Sequence, residues 1–306
     1  MKLNLLNEDI KNNIKYYIIF KPKTKEELKE AVDLWCRNKY EALTKYFYIS
    51  SWNTSLITDM SELFKYKIDF NDDISNWDVS SVTNMKGMFS HASSFNQPLN
   101  NWNVSSVTDM NCMFMDASSF NQSLNLWNVS SVTNMSNMFM RASVFNQPLD
   151  SWDLSLVTQT WQMFQMAESF NQSIDTWDVS SVDAMDNMFN SAVSFNKPLN
   201  TWNVSSVTSM SGMFNCALSF NQPLNSWNVS SVTNMEIMFS RSTSFNQPLN
   251  SWDVSSVIFM DSMFSKAPLF NQPLNSWNVS YVAHTDNMFD DAVSFNKNNA
   301  QWYNFN

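Results

Sequence analysis

A tryptophan stands at residues 52, 77, 102, 127, 152, 177, 202, 227, 252, 277 and 302, every 25 residues without one insertion. A period of this size, held over so many copies, is the mark of units that stack, each burying its apolar face on its neighbours. The length of 306 would ordinarily suggest two or three domains. The repeat overrides that expectation, because a stack has one core that lengthens with each copy.

The unit at 95–119 reads FNQPLNNWNVSSVTDMNCMFMDASS. Its first half sets Trp102 and Val104 two residues apart, the spacing of one face of a strand. Its second half sets Val107, Met110, Met113, Phe114 and Ala117 at helical intervals, which predicts a short α or 3₁₀ turn. Trp102, Trp127, Trp177, Trp202, Trp227, Phe114 and Phe120 are therefore expected in the core. Strands stack at about 4.8 Å whereas helix axes need about 8–10 Å, so coils of this kind are expected to fan into an arc with helices on the convex side. The fold class expected is an α/β solenoid of 25-residue rungs, each a parallel strand plus a short helical turn.

Only Gly87 and Gly212 are glycines, and they share one repeat position. Corners that need left-handed backbone must then use other residues, and asparagine tolerates that region best. The regular column at 96, 121, 146, 171, 196, 221, 246, 271 and 296 is the candidate, and its stacked side chains can also form a hydrogen-bonded ladder. The Asn or Asp column at 103, 128, 153 and 178 reads as an acceptor serving the nearby backbone. The Asn-Val-Ser spelling of a glycosylation signal in that column is given less weight.

Residues 1–50 differ from the rest. A run Tyr16-Tyr17-Ile18-Ile19-Phe20 predicts a short strand or a packed arm. Thr24 and Glu27 have capping-box spacing, and Leu28, Val32 and Trp35 form one apolar stripe of a helix. A second short helix is expected over 40–46. The division is then an N-terminal segment with a helical cap at 1–50, and a repeat solenoid with a C-terminal capping rung at 51–306.

The W-[ND]-V-S-S-V-T-x-M core within FNQPLNSWNVSSVTNMxxMFxxA resembles the BspA-like leucine-rich repeats, a mycoplasma-lipoprotein-type family of roughly 25-residue repeats. The likeness covers about 50–302, and the leader PKTKEELKEAVDLW is also similar to leaders of that family. It implies a right-handed leucine-rich-repeat-like solenoid, often displayed on bacterial or protist surfaces and also encoded by large DNA viruses. Some bacterial relatives look like adhesins for host proteins. The family has no shared catalytic residues to carry over.

Net charge is −10, split as +3 over residues 1–50 and −13 over the remainder. An acidic stack repels phosphate backbones, so nucleic acid is not an expected partner. No membrane span, signal peptide or anchor motif is read from the sequence, which favours an intracellular place, host cytoplasm or virion if viral. Cys36, Cys112 and Cys216 make an odd count, and Cys112 and Cys216 lie about four rungs apart, beyond disulfide reach. His91 and His284 occupy non-equivalent positions, and no catalytic constellation can be built. The expectation is a non-enzymatic scaffold without a cofactor that binds another protein. A surface or virion adhesin contacting a host receptor or glycan is the alternative. A calcium-stiffened rod is another, since Asp150, Asp153, Asp175 and Asp178 bring four carboxylates to two neighbouring rungs. For the partner, Met115, Met140, Met166 and Trp161 interrupt otherwise polar positions and predict an exposed apolar patch.

Overall fold

A computed structural model describes residues 19–305. Two α-helices open it, α1 (Lys25–Arg37) and α2 (Lys39–Tyr46). The Thr24 hydroxyl caps α1 by accepting from the Glu27 N–H at 3.3 Å, and the Glu27 carboxylate accepts from the Lys23 N–H. Asn38 ends α1 and caps α2, its side chain accepting from the Glu41 N–H. Leu28, Ala31, Val32, Leu34 and Trp35 are buried, so α1 lays its apolar stripe on the first coil. Trp35 meets Trp52 edge-on at 5.9 Å and donates its indole N–H to Asp72. Ion pairs Lys25–Asp59 and Lys67–Asp33 tie α1 along that coil, and Lys39–Asp72 ties the start of α2 to it. Phe20 packs on Tyr46 and Trp52, and its carbonyl accepts from the Asn53 N–H. Tyr16, Tyr17 and Ile18 of the expected strand or arm lie outside the described residues.

The repeats are built differently from the strand-plus-helix unit that spacing suggests. Between 52 and 296 the described residues hold turns and single parallel bridges, with no α-helix and no named strand. Each coil is a series of four-residue turns closed by i→i+3 bonds: Trp102 N–H to the Leu99 carbonyl, Val107 to Val104, Met113 to Met110, Ala117 to Phe114 and Phe120 to Ala117. The two ends of each turn point inward and its two middle residues outward. That rule generates the apolar spacing of three, which a helix would also produce.

Left-handed backbone falls at two sites per coil, such as Cys112 and Asp116, or Asn137 and Arg141. Each is the third residue of a turn, where a type II turn requires positive φ. The expected Asn corner at 96 and its equivalents does not hold: none of those asparagines has positive φ. Gly87 and Gly212 instead sit in the Cys112 column, both at φ +60. The Asn column serves as the ladder, in a modified form. Asn121 N–H donates to the Asn96 side-chain oxygen, Asn146 to Asn121, and so on to Asn296.

Coil joins coil by parallel bridges in strict 25-residue register, from Asp59↔Asn84 to Phe259↔His284. Around each bridge the N–H groups of 110, 112, 114 and 116 donate to the carbonyls of 134, 136, 138 and 140. From Trp102 to Trp302 each indole N–H of the 25-residue column reaches a carbonyl of the preceding coil, as Trp127 does to Leu99 at 2.9 Å. Inside, Trp102, Trp127, Trp177, Trp202, Trp227, Phe114 and Phe120 are all buried. Rings stack at 5.4–5.7 Å in the Phe114 column and at 6.4 Å from Trp152 to Trp252. Points related by a common rotation separate further with distance from its axis. The axis therefore lies nearer the Met–Phe turns than the tryptophans, and the expected wide helical side is the tighter one.

Candidate functional site

The Met–Phe turns present four outward columns, which in the third coil are Asn111, Cys112, Met115 and Asp116. The next coils place Ser136, Asn137, Met140 and Arg141, then Trp161, Gln162, Gln165 and Met166, then Asp186, Asn187, Asn190 and Ser191. The inter-coil bonds fix this alignment: Cys112 N–H to the Ser136 carbonyl, Asn137 to Trp161, Asp116 to Met140 and Arg141 to Gln165. Met115 and Met140 thus neighbour each other in one column, while Met166 lies in the adjoining column, one coil on. Trp161 stands in the first column, with Gln162 and Gln165 between it and Met166.

Met115 and Met140 are half-buried. Met166 and Trp161 are exposed, by 37% and 40%. Ser136, next to Trp161 in its column, is wholly buried with its hydroxyl unpaired, and the Gln165 side-chain oxygen is also buried and unpaired. The sequence-predicted patch is therefore one face, partly folded down over its neighbours, rather than four free side chains.

The backbone N–H groups of this face are already spent. In the third coil the N–H groups of 112 and 116 go to the next coil, that of 115 to the Cys112 carbonyl, and that of 111 to the Asp109 side chain. The fourth coil repeats the pattern at 136, 137, 140 and 141. Recognition here must use side chains.

Lys65, Glu62 and Lys86 lie on the N-terminal side of the patch, Lys65 paired with Glu62, and Asp186 lies on the other side. Within it Asp116 sits 3.5 Å from His91 and 3.8 Å from Arg141, and the His91 ring stacks on Tyr66 at 4.6 Å. Burial pushes the Cys112 thiol above its ordinary pKa, so it is not poised as a nucleophile. All three cysteines are free.

The four aspartates are not brought together. Asp153 and Asp178 each accept from the N–H two residues on, at Ser155 and Ser180, and Asp150 accepts from the Asn125 amide. Among the described residues no group of three or more His, Cys, Asp or Glu is placed to hold a metal ion. Asp153 and Asp178 belong to a column of Asx turns, which runs from Asn53 to Asn278. The hydroxyl and then the N–H of Ser180 hold Asp178 below the usual carboxylate range, and Ser80 and Ser255 do the same for Asp78 and Asp253.

An open cleft between α1 and the first coil is lined by Trp35, Cys36, Arg37, Lys39, Lys67 and Ile68. Two of its cations are taken by the ion pairs that hold the helix in place. Sequence reasoning missed this cleft, because it depends on where the cap helix docks. Among the described residues no helix is long and apolar enough to cross a membrane.

A chain of like coils joined in one register, with most of its variation in outward columns, is a tandem-repeat protein. The chain belongs to the family described as Mycoplasma protein of unknown function, DUF285, whose model matches residues 36–152, 140–241 and 224–306. This bears out the resemblance to a mycoplasma-type repeat. A comparison with curated proteins returns no match.

Proposed function

We propose that the chain is a non-enzymatic scaffold, a solenoid of turn-built coils, which binds another protein through the face holding Met115, Met140, Trp161 and Met166. The kinship with BspA-like leucine-rich repeats belongs to the same proposal. It rests on the period and on the apolar column Leu99, Leu124, Leu149, Leu199, Leu224, Leu249 and Leu274, with Ile74 and Ile174 in the remaining coils. The observation that carries the binding reading is that three successive coils replace polar outward residues by thioethers and an indole, on a face with no free backbone N–H in its third and fourth coils. Flexible methionines with a rigid aromatic are the residues of adaptable protein-binding surfaces. The test compares affinity capture by the wild-type chain and by a Met115→Ser, Met140→Ser, Met166→Ser variant. Proteins retained by the first and lost by the second, at equal melting temperature, support the reading. A clearly lower melting temperature with capture intact would make these side chains structural and the proposal wrong.

A further inference from the structure

The Asn or Asp column beside the indoles is asked by the fold for an acceptor and nothing more. Asn103, Asn128, Asn203, Asn228 and Asn278 accept the N–H two residues on through Oδ1. Asp78, Asp153, Asp178 and Asp253 do the same in their own coils. Aspartate has no amide nitrogen, so the turn does not need the one that asparagine adds. All five asparagines are exposed, and among the described residues none of their Nδ2 groups donates a hydrogen bond. The serine two residues on is exposed or half-buried in every case. In three coils its hydroxyl donates to the same Oδ1, at 2.7 Å from Ser105 and 2.8 Å from Ser230 and Ser280. The residue between points inward, as buried Val104, Val129, Val204 and Val229 do, which keeps amide and hydroxyl together on the outside.

Asn-X-Ser is spelled nine times in the chain, and the fold separates those copies. Asn134 lies in a coil-to-coil bridge, with the Ser136 hydroxyl wholly buried. Asn121 and Asn171 are half-buried members of the ladder, whose Oδ1 accepts from the next coil. Asn53 is half-buried, its N–H bonded to the Phe20 carbonyl. The other five present an unused amide nitrogen beside a serine hydroxyl, the acceptor set for N-linked sugar. We propose that Asn103, Asn128, Asn203, Asn228 and Asn278 are glycosylation sites presented by the folded coil, which take a sugar activated on a nucleotide or lipid diphosphate. In the transfer Nδ2 bonds to the anomeric carbon as the carbon–oxygen bond to the diphosphate breaks. The diphosphate leaves with the electron pair, and Nδ2 gives up one proton. Oδ1 keeps its turn bond throughout, so the coil need not open. These sites stand beside the indoles rather than on the Met–Phe face, and the inference is independent of the binding reading.

The test incubates the folded full chain with an asparagine glycosyltransferase and UDP-glucose. A second arm uses an oligosaccharyltransferase with its lipid-diphosphate oligosaccharide. Both enzymes are chosen because they modify isolated Asn-Val-Ser and Asn-Met-Ser peptides, and peptide mass spectrometry reads each site. Sugar is expected in at least one arm on Asn103, Asn128, Asn203, Asn228 and Asn278, and not on Asn53, Asn121, Asn134 or Asn171; the arm that labels identifies the donor class. The variant Asn103→Asp, Asn128→Asp, Asn203→Asp, Asn228→Asp, Asn278→Asp keeps every turn acceptor. It is expected to fold with an unchanged circular-dichroism spectrum and to lose all of the sugar. No sugar on the folded chain in either arm overturns the proposal. Occupancy of Asn134 equal to that of Asn103 overturns the selection by exposure, since Ser136 is reached only when the coil opens. An aspartate variant that fails to fold overturns the premise that the amide nitrogens are unused.

Discussion

Gly212 and Gly87 occupy the same left-handed position of their coils, so replacing each by alanine separates backbone strain from packing. The strain is common to both. A side chain at positive φ costs about 1–2 kcal/mol relative to glycine. The surroundings differ. A β-carbon at Gly87 would lie 3.5 Å from the nearest atom, Glu62 Cγ, an ordinary contact. At Gly212 it would lie 2.4 Å from the Asn187 side-chain oxygen. That oxygen accepts from the Asn190 amide at 2.8 Å, so moving it aside sacrifices a bond with a net worth of about 0.5–1.5 kcal/mol. Gly87→Ala should therefore cost about 1–2 kcal/mol, and Gly212→Ala about 2–3 kcal/mol. Urea denaturation followed by tryptophan fluorescence reads both. Amide exchange should show the Gly212 loss centred on the coils containing Asn187 and Ile237, because a coil touches only its neighbours. Equal losses at the two sites would refute the packing argument, and no loss at either would refute the strain argument.

Asn171→Ala removes the oxygen that accepts from the Asn196 N–H, so that amide should exchange faster and the chain should lose about 1–3 kcal/mol; unaltered Asn196 protection would show that the ladder is ornamental. The depressed carboxyls of Asp78, Asp178 and Asp253 favour the folded state above the unfolded carboxyl pKa of about 3.9, and that stability is lost as pH falls through their lower folded values. The variant Asp78→Asn, Asp178→Asn, Asp253→Asn keeps an acceptor, as asparagine does at 103 and 128, and should therefore lose less stability on acidification than wild type. Matching acid limbs in the two urea titrations would count against this.

The sequence announces register and core composition because both are periodic. Trp102, Phe114 and Phe120 can be placed inside from the 25-residue spacing alone, and Thr24 and Glu27 mark the start of α1. Backbone conformation was less legible for a physical reason. Apolar residues three apart satisfy a helix and a chain of four-residue turns equally well, since both put i and i+3 on one side. The discriminating signal was present in Gly87 and Gly212, which recur at one position and so mark left-handed backbone there. Asn137, Asn187 and Asn287 in the same column agree with it, but Glu62, Cys112, Gln162 and Ile237 are not residues that announce positive φ. The turn role of Asp153 and Asp178 was hidden by a related ambiguity. Asp153 stands two residues before a serine whose N–H it captures, and a carboxylate spent on its own turn is less available to an ion.

The turn-built coil also explains why specificity gathers on one face. Along the Asn ladder each side chain carries an inter-coil bond, as Asn146, Asn171 and Asn196 do, so variation there would cost stability in two coils at once. Along the indole column every N–H is likewise committed to the coil before, as with Trp177 and Trp202. On the Met–Phe face the regular inter-coil bonds are backbone ones, through the N–H groups of 112 and 116 and their equivalents, and side-chain links such as Asn111 to the Ser136 carbonyl or Asp116 to Arg141 occur only in particular coils. Side chains there bear little of the stacking and are free to differ. Tyr66, His91, Asp116, Arg141 and Met166 succeed one another in a single column without disturbing the register. Stability and recognition are thereby assigned to different sides of the same coil, which lets one surface change from coil to coil while the core stays nearly constant.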